Sequence, residues 1–355
     1  MAEPFVSILW LNYNSMHIID IVLRSLEAIA ELDYENYEVV IVDNASTDGS
    51  FEKIREFVDT NPELRRRAKI VRNRANLGFA GGMNVAFRAR DRRAEYVALV
   101  NNDAVPTAES LRRLVEEMEA RPKLGAAQGV IMKLDAPELV DTAGDFINDL
   151  LMIFQLLNGR RLEGFDKPIY ISYADGAYML LRVKAALDAM GEERLFIDEL
   201  FAYCDDNVLG FLLWTKGWRI ASFPFIAGYH RRGATFGKAA KRRLYYGIRC
   251  SSFIYHSMQG IPLKARLFMS YLRFKRTFTV PLAWRDPSLM KEYVRAWREG
   301  KRLAEKMGLR LSYQSIPRAP VRLRDLPRMA ILARFYRPYD DPEYLRRLME
   351  MYRLE

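Results

Sequence analysis

The chain has 355 residues, half of them apolar, enough for one large α/β domain and a smaller accessory region whose core needs no covalent staples. Its two cysteines, Cys204 and Cys250, are too few for a disulfide framework and lack zinc-site spacing, so they read as buried or idle thiols in a reducing compartment. The formal charge of +10 is uneven: residues 1–230 hold 26 Lys/Arg against 35 Asp/Glu, and residues 231–355 hold 29 against 10.

The first 135 residues alternate short β-rich runs with helical patterns, as a mostly parallel sheet covered by helices requires. Val6 to Leu11 reads as a strand, followed by a helix whose apolar face is Ile18, Ile19, Val22, Leu23, Leu26 and Ile29. Tyr37 to Asp43 is a second strand, ending in a turn of capping residues, Asn44 to Ser50, that opens a helix through Val58. Lys69 to Arg72 is a strand, Gly81 to Arg90 a helix, and Tyr96 to Val100 a strand that stops at Asn101-Asn102-Asp103. Thr107 opens a helix to Ala120. Residues 135–173 are less regular and are expected to form an insertion or lobe over the sheet. Tyr178 to Leu181 and Trp218 to Ser222 read as strands, and Val183 to Met190 and Asp206 to Lys216 as helices. Beyond residue 240 the pattern becomes long basic amphipathic stretches broken by prolines. Two units follow: residues 1–240 for binding and catalysis, and residues 241–355 as a basic amphipathic helical region.

Polar clusters at Asp43, Asp103 and Asp205-Asp206 fall just past strand ends, or open a helix. In an open parallel sheet this edge is where ligands bind, because strand ends and helix N-termini converge there. A carboxylate at Asp43 can accept the N3 proton of a uracil or thymine ring, and equally can build a turn. The glycines at 78, 81 and 82 let backbone approach a ligand, although a flexible connection explains them as well. A carboxylate at Asp103 can hold Mg²⁺ or Mn²⁺, which prefer oxygen and leave room for substrate phosphates. Asp205 and Asp206 can complement a helix dipole, or one can become a general base if burial raises its pKa. His230 can be a ligand or a hydrogen-bonded structural residue.

In order, Val42-Asp43-Asn44-Ala45-Ser46-Thr47-Asp48-Gly49, Asn76 to Asn84, Leu99 to Asp103, Asp175-Gly176-Ala177, Phe201 to Gly217 and His230 to Phe236 resemble the family 2 glycosyltransferases of GT-A fold, especially their rhamnosyltransferase-like branch. The likeness runs over residues 5–237. It implies that Asp43 holds the donor base and that Asn76, Gly78, Gly82, Asn84 and Asn102 belong to the nucleotide-sugar pocket. It implies a metal at Asp103, the surviving acid of an Asp-x-Asp pattern, with His230 as second ligand. Asp206 matches the catalytic base, and Asp205 stands where the family usually has Glu. Val208 replaces an acid that often follows. The activity implied is inverting, metal-dependent transfer from a dTDP- or UDP-linked sugar, rhamnose first, to a hydroxyl of a glycan or lipid-linked glycan. The alternative is a non-catalytic nucleotide-sugar-binding or assembly protein of the same fold.

The basic region suits an anionic surface. Leu263 to Arg276 alternates apolar and basic residues as an in-plane helix does, and no zinc-finger or RNP pattern points to nucleic acid. Packing on the first domain or oligomer formation is an equally simple use of these helices. No signal peptide is read at the N-terminus, and no window reaches the roughly 18 uncharged apolar residues of a spanning helix. The expectation is a cytoplasmic protein, peripheral at the cytoplasmic membrane face.

Overall fold

Strands that alternate apolar residues on both faces must be covered on both faces, and β1 (Val6–Asn12), β2 (Tyr37–Asp43) and β4 (Tyr96–Asn101) are of this kind. In the computed structural model, which describes residues 3–232, 240–327, 329 and 341–354, they lie parallel at the centre of one large sheet, with β3 (Ala68–Arg72) at the edge. Val6, Ile8 and Trp10 pack with Val22, Leu26 and Ile29 of α1 (Ile19–Ala30), with Ile54 and Val58 of α2 (Ser50–Thr60), and with Leu111 and Leu114 of α5 (Ser110–Glu119). On the opposite face, Leu9, Val40, Val42 and Leu99 meet Ala80, Met83 and Phe87 of α4 (Gly78–Ala89). The short α3 (Pro62–Arg67) is capped by Asn61 and seats Leu64 in the first layer.

Past β4 the sheet becomes mixed. β11 (Tyr178–Arg182) runs antiparallel to β4 and to β6 (Leu124–Lys133), while β12 (Arg219–His230) runs parallel to β6. The order is β10-β12-β6-β11-β4-β1-β2-β3, with β10 spanning Ile169–Tyr170, β5 (Ala104–Pro106) paired to β12, and β7 (Ala136–Thr142) paired to β6. The irregular stretch thus contributes β7 and β10 to the large sheet. It also builds a small separate sheet from β8 (Asp145–Asn148) and β9 (Ile153–Gln155). Helices α6 (Val183–Met190) and α7 (Asp205–Thr215) bracket the loop that carries the acidic pair. Helix α7 is buried along nearly its whole circumference; Val208, in particular, points into the core.

The basic region forms α8 (Ala240–Ser257), α9 (Leu263–Ala283), α10 (Ser288–Met307) and α11 (Pro342–Met351). Prolines open or interrupt them: Pro262 precedes α9, Pro281 lies inside it, and Pro287 caps α10. Phe253, Trp297 and Leu348 share one continuous core with Leu9 and Leu99. Backbone pairing ties the end of the chain back to the sheet, with Tyr170 donating to Tyr352 and Leu354 to Pro168. β15 (Arg318–Ala319) adds to β8, and β14 (Leu311–Ser312) pairs with β13 (Met258–Gln259).

The cysteines correct the expectation of idle thiols. Cys204 and Cys250 form a disulfide, their Cα atoms 5.4 Å apart. Nothing in their separation of 46 residues signals this pairing; it arises because α8 crosses the start of α7. Among the described residues, no helix is long and apolar enough to cross a membrane.

Candidate active site

Strands β1, β2 and β4 end side by side at Asn12, Asp43 and Asn101. The amide of buried Asn12 donates to Asp43 Oδ1 at 2.9 Å and to the hydroxyls of Ser46 and Ser50 at 3.1 Å. Asp43 Oδ2 accepts the Ser46 backbone N–H and faces Arg72 Nε at 3.3 Å. Asn44 stitches the next loop to this turn. Its Nδ2 donates to Asn76 Oδ1 and to the Gly78 carbonyl, while its Oδ1 accepts from Asn73 and from the Leu77 N–H. Asn76 also accepts the Gly78 N–H at 2.8 Å, so residues 73–78 are held against the Asp43 turn by side-chain amides.

Gly78 has φ +74°, and a Cβ there would stand 2.3 Å from the carbonyl oxygen of Phe201. A Cβ at Gly82 would be 2.6 Å from Leu11 Cδ1, so this glycine lets α4 approach β1. Asn84 is fully buried: it accepts the N–H groups of Leu195 and Phe196 and donates to Phe196 and Asp198. Its amide thereby fixes residues 195–198, the approach to the acidic pair.

That approach is strained. Phe201, Tyr203 and Cys204, none of them glycine, have φ of 61°, 63° and 89°. The disulfide to α8 and a hydrogen bond from Arg249 to the Leu200 carbonyl hold them there. The strained turn delivers Asp205 and Asp206 at the first turn of α7. Burial, then the charge of Asp206, pushes the Asp205 carboxyl up to about 8, and its Oδ1 has no hydrogen-bond partner among the described residues. Asp206 is half-buried and accepts the N–H groups of Gly176 at 3.3 Å and Asn207 at 2.8 Å. Burial, then the neighbouring Asp175, pushes it up to about 6 despite those hydrogen bonds.

A continuous chain of contacts leads from Asp206 to Asp103. Gly176 follows Asp175, whose Oδ2 accepts from Arg232 Nη2 at 2.7 Å, and Arg232 Nε donates to Asp141 Oδ1 at 2.8 Å. Asp141 Oδ2 lies 2.9 Å from His230 Nδ1, and His230 Nε2 lies 3.2 Å from Asp103 Oδ1. Burial alone would lower the imidazole, yet its hydrogen bonds to Asp103 and Asp141 outweigh that and push it up to about 9. Burial likewise works to raise Asp141 and Asp175. His230 and Arg232 overcome it for Asp141, and Arg232 and then His230 for Asp175, so both carboxyls stay below the usual range. Asp145 goes the other way, pushed well up by burial and then by Asp175.

Asp103, His230 and Asp206 therefore belong to one network, while Asp43 sits on the same sheet edge, with β1 between β2 and β4. Asn102 is buried beside Asp103. Gly82 and Asn84 are committed to packing and to protein partners. Gly233 to Phe236 of the His230 motif lies outside the described residues. The residues that sequence reasoning left without a role are Asp141, Asp145 and Arg232, and Asp175 was quoted only as part of a motif. Arg232, two residues from His230, carried a signal, whereas Asp141 and Asp145 lie in the irregular stretch and carried none.

Residues 7–188 match the family described as Glycosyl transferase family 2. The chain belongs to that family. This family 2 chain is 27% identical over 123 residues to an uncharacterized glycosyltransferase of Haemophilus influenzae, a match covering 35% of each protein. It is 28% identical over 118 residues to UDP-Glc:alpha-D-GlcNAc-diphosphoundecaprenol beta-1,3-glucosyltransferase WfgD of Escherichia coli, over 33% of this chain and 42% of that one. The matched stretch thus spans well under half of either relative. Among solved structures, the mannosyltransferase PcManGT from Pyrobaculum calidifontis in complex with GDP-Man and Mn²⁺ is similar at 18% identity and TM-score 0.53, over 98% of this chain and 86% of that one. S. aureus TarS 1-349 in complex with UDP-GlcNAc is similar at 14% identity and TM-score 0.53, over 98% and 90%. At such identities the likeness is one of fold, and it is the GT-A fold that the motif order implied.

No cluster of three or more His, Cys, Asp or Glu side chains placed to hold a metal occurs among the described residues. The pair Asp103 and His230 fits a hard divalent ion that displaces the proton now shared between His230 Nε2 and Asp103 and draws its remaining ligands from diphosphate oxygens and water. The Asp141 carboxylate on the far nitrogen of His230 is the partner that orients a metal-ligating imidazole.

Proposed function

We propose that this family 2 chain is an inverting glycosyltransferase that moves a sugar from a nucleoside-diphosphate donor to a hydroxyl of a glycan or lipid-linked glycan. The observation that carries the reading is the half-buried Asp206, raised to about 6 and joined through Asp175, Arg232, Asp141 and His230 to Asp103. A base of that strength is ionised at neutral pH and still proton-hungry, as general-base catalysis favours. Asp206 takes the proton of the acceptor hydroxyl, that oxygen forms a bond to the anomeric carbon from the face opposite the leaving group, and the bond to the diphosphate breaks. Asp43 recognises the base of the nucleotide with the acceptor capacity that Asn12, Ser46 and Arg72 leave it. A divalent cation held by Asp103 and His230 would supply charge neutralisation for the departing diphosphate. Arg232 keeps Asp141 and Asp175 charged and in place.

A uridine or thymidine donor, with dTDP-rhamnose first, is our reading of the motif resemblance. WfgD, by its name a UDP-glucose enzyme acting on a diphosphoundecaprenol-linked sugar, supports a lipid-linked acceptor. The test is nucleoside-diphosphate release from a panel of UDP-, dTDP- and GDP-sugars with Mn²⁺, wild type against Asp206→Asn. Release that the substitution lowers by roughly a hundredfold or more supports the base. Binding of donors without turnover under any condition makes the chain a nucleotide-sugar-binding protein instead.

A further inference from the structure

Helix α9 has two apolar faces, and the described residues cover only one. Ala265, Met269 and Leu272 are buried against the protein. On the other side Leu263, Leu267, Tyr271, Phe274, Phe278 and Leu282 are each between 44% and 79% exposed. Their spacings of four, four, three, four and four residues gather them into one arc about 100° wide at the pitch of an α-helix. Exposed Lys264 borders this arc on one side and exposed Arg266 and Arg273 on the other. Helix α9 contains five Lys/Arg and no Asp/Glu, and Trp284, 39% exposed, follows directly. Beside it, a groove of about 310 Å³ between α9 and α10 is lined by Phe274, Phe278, Val294 and Trp297 together with Arg273.

A continuous apolar stripe of this size is uncommon on a surface that meets only water. We propose that α9 lies in the head-group layer of an anionic phospholipid bilayer, with the six stripe side chains at the acyl boundary and the flanking cations among the phosphates. Charge decides for the bilayer over a second copy of the chain. Lys264 pairs with Asp149 at 3.5 Å, but α9 itself carries five Lys/Arg and no Asp/Glu, so two α9 stripes pressed together would set like-charged flanks against each other, whereas an anionic leaflet complements them. This reading is independent of the transfer reaction.

The test is co-sedimentation of the full chain with vesicles of pure phosphatidylcholine and with vesicles containing roughly one quarter phosphatidylglycerol. The wild type should bind the anionic vesicles, and Leu267→Glu/Phe274→Glu should weaken binding at least about tenfold. Lys53→Glu on α2 should change nothing. Both stripe positions are exposed, and matching thermal melts establish that the double variant is folded. Equal binding by the double variant, or no binding by the wild type, overturns the proposal. So does a dimer in sedimentation velocity that the double variant dissolves while vesicle binding stays unchanged.

Discussion

Lowering the pH from about 8 to about 5 takes Asp206 from ionised to mostly protonated, because burial and then the charge of Asp175 raise its carboxyl from 3.8 to about 6. With Asp206 as the base, kcat/KM for sugar transfer should hold a plateau above pH 7 and fall roughly tenfold per unit below pH 6. The same shift bears on stability. A shift of about two units is at most about 3 kcal/mol at 1.36 kcal/mol per unit, before any discount for the part of Asp206 that stays solvated. Its sign follows from linkage. A carboxyl with a raised folded-state pKa favours the fold while it is protonated, and that contribution is lost as pH rises from the unfolded value through 6. Asp206→Asn should therefore abolish transfer yet melt several degrees higher than wild type at pH 8, with the gain vanishing near pH 4. Asp175→Asn removes the second cause of the shift and should move the acid limb to lower pH, by no more than the two-unit shift itself. A continuous assay of nucleoside-diphosphate release across pH, paired with melts of each variant, reads both effects. An acid limb that does not move in Asp175→Asn, or an Asp206→Asn protein that melts lower at pH 8, refutes the reasoning.

Gly78→Ala should lose roughly 2–4 kcal/mol in a denaturant melt and raise the donor KM, since its Cβ would meet the Phe201 carbonyl at 2.3 Å in a backbone with φ +74°. Gly164→Ala, at φ +71° with no atom of the described residues within 4 Å, isolates the conformational cost and should lose only about 1 kcal/mol. Reduction, or Cys250→Ser, opens a crosslink between positions 46 residues apart, worth about 4 kcal/mol on chain entropy. It should lower the Tm together with kcat, because the same bridge holds the turn before Asp205.

The parallel half of the sheet was legible because each of its elements satisfies its own local rule. Tyr37–Asp43 is apolar on both faces and stops at an acid, and the structure returns those boundaries. The other half depends on partners. β6 reads Leu-Gly-Ala-Ala-Gln-Gly-Val-Ile-Met-Lys, with a weak intrinsic strand preference. It is a strand because β11 and β12 flank it, and Gly129 is needed where a Cβ would stand 2.7 Å from Ala227 Cβ. The sequence marks β12 only over Trp218 to Ser222, and Pro224 lies just beyond. The structure absorbs it in register shifts between Phe223 and Gly228 and carries the strand on to His230. Of the site, the acids at strand ends and helix starts showed in the sequence because topology fixes where such positions go. Asp141 and Asp145 did not, because β7 and β8 reach the site through pairings that no spacing encodes.

The site also explains why the basic half of the chain shares the core of the acidic half. Asp103, Asp141, Asp145, Asp175 and Asp205 are buried, Asp206 is half-buried, and the cations set among them are His230 and Arg232. So many carboxyls with so few cations oppose folding, and Asp205 and Asp145 meet the deficit by holding their protons. Such a cluster persists only where the surroundings over-determine it. Much of that restraint comes from beyond residue 240: Cys250 bonds to Cys204, Arg249 grips the Leu200 carbonyl, and the Pro317 carbonyl accepts from Ser172 within the segment leading to Asp175. Helices α8 and α10 are thus a brace for the strained turn before Asp206 as well as the support on which α9 presents its outer face.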